Sequence, residues 1–286
     1  MSTASPTTAI RDRRSCLLTP ALRTDRYMGA LTCGATVALV DLEDSVIPAM
    51  KEEGRHAARD FFSMTVDTKT LRGVRINSLT TAYGLQDVVD IATWPCRPQG
   101  ILLPKADSPR DFDILAEVLD TDTYRPELYA LIESARAVEE VSEIAAHPRV
   151  AGVAFGAADY AVTIGADVRA SSMLTVRQLI ANSARRHGKI AIDSPCFALD
   201  GDASLLDECA TAKAAGFEGK GAIHPHHVKA INEAFAPTEK ELEFARAIVD
   251  SDAREVAVLE LNGRMIGPPF VEAAVRLVER FGQEDS

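Results

Sequence analysis

The chain has 286 residues, of which 47% are hydrophobic and 6% aromatic, so it can bury one large and mainly aliphatic core. Its 42 acidic and 31 basic residues give a formal net charge of -11, which disfavours binding to nucleic acid or to an anionic membrane. Five cysteines without a C-x-x-C pair, a polar start and the lack of a long apolar run predict a cytoplasmic protein with no signal peptide and no membrane span.

Short apolar runs alternate with longer helical stretches along most of the chain. Residues 1–13 are rich in Ser and Thr and are expected to form a disordered tail. Residues 14–236 are expected to form the catalytic unit, with predicted strands at 15–19, 37–42, 73–76, 100–104, 128–132, 150–155, 190–193 and 221–223. Residues 85–92 and 138–145 between them show the i, i+3, i+4 spacing of helices.

This alternation of strands and helices predicts an α/β fold, the closed (β/α)8 or TIM barrel. The main alternative is a doubly wound open sheet, which usually begins with a G-x-G-x-x-G turn that is absent from this sequence. Residues 237–286 follow the barrel units as a strand–helix extension, with a charged helix at 239–250, a strand at 256–261 and a helix at 271–281. The extension is expected to be a cap over the barrel mouth or an oligomerisation segment.

Polar residues follow most of the predicted strands, at the end of a barrel that carries the chemistry. In strand order they are Asp41, Glu43 and Asp44, then Arg75 and Asn77, then Lys105, Glu133, Asp159, Asp193 and His224. Their convergence on one rim predicts a polar site. For Asp44 and Asp193, a structural ion pair or a helix cap explains the position equally well.

Two of these carboxylates suggest a metal. Glu133 follows the apolar run 128–132, which would bury its charge unless a cation compensates. Asp159 follows a Gly-Ala-Ala turn whose backbone amides could hold an anion, and two carboxylates with water offer the oxygen ligands that Mg2+ prefers. The histidines at 224–227 lack zinc-site spacing, and the cysteines have no paired histidine, so a zinc site and a thiol nucleophile are not favoured.

Motifs in order from about Arg14 to Ala236 resemble the citrate lyase β-subunit-like proteins of the HpcH/HpaI aldolase superfamily. They are R-S-C-L at 14–17 with Pro20, V-D-L-E-D-S-V at 40–46 with Lys51 and Arg55, R-I-N at 75–77, L-P-K at 103–105, I-E-S-A at 132–135, F-G-A-A-D-Y at 155–160, and G-F-E-G-K at 216–220 leading into I-H-P at 223–225. The resemblance implies a (β/α)8 barrel that assembles as a homotrimer or hexamer, with a C-terminal segment reaching a neighbouring subunit.

The resemblance also implies roles for residues at the rim. It implies that Glu133 and Asp159 hold Mg2+, or Mn2+ in its place, and that Arg75 grips a substrate carboxylate. Further substrate contacts are implied for the backbone amides of Ala157 and Ala158. The catalytic candidates are Arg75, Glu43 and Asp44, and the last two are implied to face the same pocket.

The predicted function is a Mg2+-dependent carbon–carbon lyase or aldolase. It would act on a hydroxy acid or its CoA ester and release or add a small 2-oxo acid or an acetyl unit. The metal would polarise the 2-oxo acid, and Arg75 would fix its carboxylate bidentately. The base stays open between Glu43, Asp44 and a metal-bound water.

One motif departs from the family pattern. Many acyl-CoA members end in G-x-M-I-D-x-P, whereas residues 263–269 read G-R-M-I-G-P-P, so Gly267 replaces the aspartate that acts on the thioester. Glycine cannot transfer a proton, which argues against thioester hydrolysis and suggests a substrate without CoA; a tight turn that needs glycine would also explain it. The alternatives are a non-catalytic or accessory subunit of a lyase complex and a malate-synthase-like acyl-CoA condensing enzyme. A phosphonate- or isocitrate-lyase-like barrel would show a Cys-bearing active loop, and the sequence has no such motif.

Overall fold

The computed structural model describes residues 12–168, 170–198, 202–251, 258–261 and 263–282. Contacts divide the chain into two compact units, one of which is Arg13–Phe235, while the other contains Ala236–Ser286. Most of the tail expected at 1–13 lies outside the described residues. Its last residue does not fit that expectation, because Arg13 is buried in the larger unit.

The larger unit is a closed barrel of eight parallel strands, each paired with its neighbour in sequence and the last with the first. The strands are β1 (Ser15–Pro20), β2 (Val37–Asp41), β3 (Leu71–Arg75), β4 (Gly100–Leu103), β5 (Glu127–Ile132), β6 (Val150–Phe155), β7 (Ile190–Asp193) and β8 (Gly219–Ala222). The predicted (β/α)8 fold is therefore confirmed. The third and eighth strands begin before the apolar runs that predicted them, because Arg72 and Lys220 interrupt the hydrophobic pattern.

Helices follow the strands in the expected alternation. They are α1 (Tyr27–Thr32), α2 (Lys51–Ser63), α3 (Ala82–Thr93), α4 (Arg110–Leu119), α5 (Ala135–Glu139), α6 (Val141–Ala146), α7 (Ala157–Ile164), α8 (Leu174–Arg186), α9 (Asp202–Ala215) and α10 (Pro225–Phe235). The single helix expected at 138–145 is instead split at Glu140, whose φ of -88° and ψ of 0° interrupt the helix between α5 and α6. The start of α5 is capped by Ser134, whose hydroxyl accepts a hydrogen bond from the Ala137 amide.

Successive side chains along each strand point to opposite faces of the barrel wall and so form two apolar layers. On β2, Ala38 and Val40 face outwards and belong to the main core. Val37 and Leu39 belong to a second cluster inside the barrel. Parallel strands with apolar residues on both faces explain why their sequences are almost continuously hydrophobic.

The amino ends of the strands are tied together by a buried polar group inside the barrel. Arg13 donates to Glu127 at 2.8 Å and to the Tyr129 hydroxyl at 3.0 Å, and that hydroxyl donates to Glu127 at 2.6 Å. Arg13 precedes β1, whereas the two partners lie on β5. We call these three residues the barrel floor.

The smaller unit contains α11 (Glu239–Asp250), β9 (Leu259–Leu261), β10 (Arg264–Ile266) and α12 (Pro268–Phe281). The two strands pair antiparallel, and α11 begins with a capping box between Thr238 and Glu241. A separate small core includes Ile248, Ile266 and Val271. Of the strand expected at 256–261, residues 256 and 257 lie outside the described part, and β10 was not predicted.

Gly267 immediately precedes α12. Its φ of -121° and ψ of -178° are extended angles that any residue adopts, so this position does not require glycine. The explanation by a glycine-specific turn is therefore wrong. Among the helices of the described residues, none combines the length and apolar character needed to cross a membrane.

Candidate active site

Asp41 and Arg75 form an ion pair at the carboxyl ends of β2 and β3. They are direct partners in the register of these strands, so their side chains emerge side by side. Arg75 Nε lies 2.7 Å from Asp41 Oδ1, and Nη2 lies 2.8 Å from Oδ2. Burial alone would raise the pKa of Asp41, but Arg75 and hydrogen bonds from Ser45 and Glu43 hold it below its ordinary value.

This pair revises the predicted role of Arg75. The Nε–Nη2 edge that would grip a substrate carboxylate bidentately is already occupied by Asp41. The remaining nitrogen, Nη1, lies 2.9 Å from Glu43 Oε2 and 3.3 Å from Asp44 Oδ2. Asp44 is largely exposed, so a ligand carboxylate can replace it beside Nη1 without a buried group being displaced.

Glu43 is the buried member of the acidic pair, and two cations hold it. Its Oε1 accepts a hydrogen bond from Lys105 Nζ at 2.9 Å, and Arg75 faces its other oxygen. Its backbone is fixed by Lys51, whose Nζ donates to the carbonyls of Leu42 and Glu43 at 2.7 Å. Burial raises the pKa of Glu43, and the two cations only partly oppose the rise.

Glu133 is buried at the end of β5, where Lys105 also holds it. The Lys105 amide donates to Glu133 Oε1 at 2.7 Å, and Lys105 has a left-handed backbone, with a φ of 51°. Burial, together with the nearby carboxylates of Glu43 and Asp159, raises the pKa of Glu133 to about 8. A single residue therefore contacts Glu43 through its ammonium group and Glu133 through its main chain.

Gly156 separates β6 from α7 and lies against Glu133. A Cβ atom at this position would fall 2.5 Å from the Cβ of Glu133 and 2.8 Å from its Oε2, so only glycine fits. The first amides of α7 have no partners within the helix, and the residues Ala157 and Ala158 line the same cavity as Glu133. Asp159, in the first turn of α7, is exposed in that cavity.

The donor set fits a hard divalent cation. Glu133 is a buried carboxylate whose pKa is raised by neighbouring carboxylates, and a cation beside it would relieve that repulsion. Across the described residues there is no cluster of three or more His, Cys, Asp or Glu side chains able to hold a metal. Glu133 and Asp159 would therefore supply two protein ligands, and water or substrate oxygens would supply the others, as Mg2+ prefers.

Three predicted rim residues remain, and one of them, Asn77, is buried and donates to Asp87 at 2.7 and 2.8 Å. Asp193 is buried between Arg177 and Lys220, each at 2.8 Å, which gives it the structural role considered for it. His224 is exposed, and its ring nitrogen contacts that of His226. No role was predicted for Asp41 or Lys105 from the sequence, although Asp41 and Arg75 lie near the ends of two consecutive predicted strands.

Comparison with known proteins confirms the resemblance. The family model HpcH/HpaI aldolase/citrate lyase matches residues 14–225. The chain is 30% identical to the citrate lyase subunit beta of Escherichia coli K12, over 94% of this chain and 93% of that protein. It is 30% identical to a (3S)-malyl-CoA thioesterase of Cereibacter sphaeroides, over 88% of this chain and 89% of that protein.

Among solved structures, the protein CitE from Mycobacterium tuberculosis in complex with magnesium, acetoacetate and coenzyme A superposes with a TM-score of 0.78. The two proteins are 28% identical, and the match covers 94% of this chain and 98% of that chain. Since the family model spans most of the barrel, this chain belongs to the HpcH/HpaI aldolase/citrate lyase family.

Proposed function

We propose that the chain is a Mg2+-dependent carbon–carbon lyase that cleaves a hydroxy acid or its CoA ester, or forms it in the reverse direction. The products would be a small 2-oxo acid and an acetyl or related unit. The observation that carries this proposal is the buried carboxylate of Glu133 beside Asp159, at a rim that also presents Arg75 and free helix amides. The relatives support the metal and the ligand class, because a CitE structure holds magnesium, acetoacetate and coenzyme A.

Bound between Glu133 and Asp159, Mg2+, or Mn2+ in its place, would polarise the oxygens of the 2-oxo acid. The carboxylate of that acid would accept hydrogen bonds from the amides of Ala157 and Ala158 at the start of α7. Arg75 would donate to the same carboxylate from Nη1, in place of Asp44, while Asp41 keeps the guanidinium oriented.

Glu43 is the better placed of the two carboxylates considered as the base. It is buried, its pKa is raised, and Lys105 and Arg75 fix its position, whereas Asp44 is largely exposed. In the cleavage direction Glu43 would take the hydroxyl proton of the substrate, the C–O bond would become a carbonyl, and the C–C bond would break. The electron pair of the C–C bond would pass to the departing enolate, which would then take the proton back from Glu43 and so restore the base.

Substitution of the two proposed ligands tests the metal site. Glu133→Gln and Asp159→Asn each remove a carboxylate, so both should abolish Mg2+ binding and turnover. Both keep the side-chain volume, so the fold should survive. Calorimetry in which both variants bind Mg2+ as the parent protein does would exclude the assignment. Asp44→Asn is a matched rim variant, exposed and outside the proposed ligand set, and should retain Mg2+ binding.

An accessory role in a lyase complex is the second candidate, and a malate-synthase-like condensation is the third. Gly267 favours the accessory role, because glycine is not required by the backbone there and the thioester side of the reaction has no assigned residue. The same loss counts against the condensation, which also acts on a thioester. An accessory subunit would bind Mg2+ without releasing pyruvate, glyoxylate, oxaloacetate or acetyl-CoA from any hydroxy acid or CoA ester.

We also propose a homotrimer or hexamer in the cytoplasm, with the smaller unit as a cap or oligomerisation segment. The exposed apolar side chains of Met265 and Phe270 in that unit support this assembly. Light scattering that reports a monomer at micromolar concentration would contradict it.

A further inference from the structure

The interior of the barrel below the proposed metal ligands is incompletely filled. The outward-facing Val40, Ile101 and Val153 are 0% exposed, as expected of a packed core. By contrast, the side chains of the inner cluster retain 4–8% exposure, namely Cys16, Val37, Leu39, Leu71, Leu102, Tyr129, Leu131, Ala154 and Ile192. In barrels of this kind the interior is normally packed with bulky branched side chains, so this access needs an explanation.

The space is a cavity of about 470 Å3 that opens at the rim and reaches deep into the barrel. Glu133 and Asp159 line its upper part, and Val37, Gly100 and Tyr129 line its lower part. Tyr129 lies four positions before Glu133, which follows the end of β5, and this corresponds to a depth of roughly 13 Å along the strand. Small inward residues, including Ala154 and Gly100, leave the space between these levels.

The lower part of the cavity is closed and apolar. The barrel floor closes it, because the Tyr129 hydroxyl is engaged by Arg13 and Glu127 rather than directed at a ligand. Below Glu133 the described lining is aliphatic apart from Cys16 and the Tyr129 ring. Water there would lack hydrogen-bond partners, and an empty cavity would forfeit dispersion contacts with its walls. A hydrocarbon group needs no hydrogen-bond partner, and it restores the dispersion contacts with the cavity walls.

From this geometry we infer that the cavity binds an aliphatic substituent of the substrate's 2-oxo acid part, longer than the methyl group of pyruvate. The inference rests on the proposed function, which places the carboxylate and carbonyl of that acid at Glu133, Asp159 and the first amides of α7. A substituent extending from that position towards the barrel axis enters the cavity directly. The protein would then select longer-chain 2-oxo acids, or hydroxy acids that release them, over pyruvate.

The test is equilibrium binding of unbranched 2-oxo acids from pyruvate to 2-oxohexanoate, measured by calorimetry with the full chain and Mg2+. Each buried methylene contributes about 0.8 kcal/mol, so affinity should rise about fourfold per added carbon until the floor is reached. Pyruvate binding with unchanged or weaker binding of the longer acids would overturn the inference and leave the proposed function standing. If none of the acids binds, pyruvate included, the proposed function is overturned, and the inference is overturned with it.

Ala154→Leu places a larger side chain in the cavity, since Ala154 lies on β6 between Leu131 and Ile192 in the strand register. It should reduce the preference for 2-oxohexanoate over pyruvate at least tenfold without lowering the melting temperature, because the space already exists. Ala116→Leu, the same substitution at a half-buried site on α4, should leave that preference unchanged. A strongly lowered melting temperature for Ala154→Leu, or an unchanged preference, would show that the cavity is not available to a ligand.

Discussion

Asp41→Asn tests the ion pair that orients Arg75. The substitution keeps the shape of the side chain but replaces one acceptor oxygen with an amide group that faces the guanidinium. Breaking a buried ion pair typically costs about 3–5 kcal/mol. Here the cost should be lower, about 2 kcal/mol, because Arg75 Nη1 keeps Glu43 at 2.9 Å and Asp44 at 3.3 Å.

The kinetic effect should exceed the effect on stability. When the amide group replaces one acceptor of the two hydrogen bonds at 2.7 and 2.8 Å, the guanidinium can rotate towards Glu43 and away from the substrate carboxylate. A displacement of about 1 Å in a positioning group costs about a hundredfold in rate. We therefore expect kcat/KM for cleavage to fall by about two orders of magnitude, while denaturant unfolding shows a loss of about 2 kcal/mol.

Asp120→Asn provides the matched control. Asp120 pairs with Arg149 in the same bidentate geometry, at 2.6 and 2.7 Å, but it lies at the end of α4 and does not line the cavity. This variant should lose stability and keep its kinetics. The reasoning would be refuted by an Asp41→Asn enzyme with kcat/KM within twofold of the parent, or by an equal kinetic loss in both variants.

Three further predictions concern the neighbouring groups and the smaller unit. Lys105→Met removes the ammonium group from Glu43 but keeps the backbone hydrogen bond to Glu133. Turnover should therefore fall about tenfold, while calorimetry should show an almost unchanged Mg2+ affinity. A large loss of that affinity would contradict this division of roles. The apparent Mg2+ affinity should rise about tenfold per pH unit up to about 8 and then level off, because a proton must leave Glu133 before the metal binds; a pH-independent affinity would contradict this competition. Gly267→Asp should fold with an equal or slightly higher melting temperature, because the extended angles at this position suit an aspartate that caps a helix. The variant should also increase the slow release of free CoA from malyl-CoA. Rapid release by the parent protein would show that another residue supplies this step.

The fold could be predicted from the sequence because buried parallel strands leave a local signal. Runs such as 150–155 are short, apolar and separated by helical spacing, so they identify strands without knowledge of their neighbours. The split at Glu140 and the short strand β10 could not be found in this way. Both depend on backbone angles and pairing partners that leave little trace in hydrophobic periodicity.

The charged residues of the candidate site could be predicted from the sequence, but the contacts between them could not. The acidic and basic residues at the strand ends could be identified, since strand ends meet at one rim. That Asp41 rather than a ligand occupies the bidentate edge of Arg75 depends on strand register, which a single sequence does not specify. Lys105 makes both of its contacts from a left-handed backbone, which is rare for a lysine and carries no sequence signature.

The close approach of Gly156 to Glu133 has a consequence for how the sequence can diverge. Because a Cβ at 156 would lie 2.5 Å from the Cβ of Glu133, the two positions cannot vary independently. Glycine at 156 can be substituted only where β5 and β6 first move apart or where residue 133 loses its side chain. Either change would destroy the proposed metal site. Homologues that keep glutamate at 133 should therefore be invariant for glycine at 156, whereas homologues that have lost the glutamate should show small side chains there. The glycine is thus a marker that distinguishes members retaining the proposed metal chemistry from members that keep only the barrel.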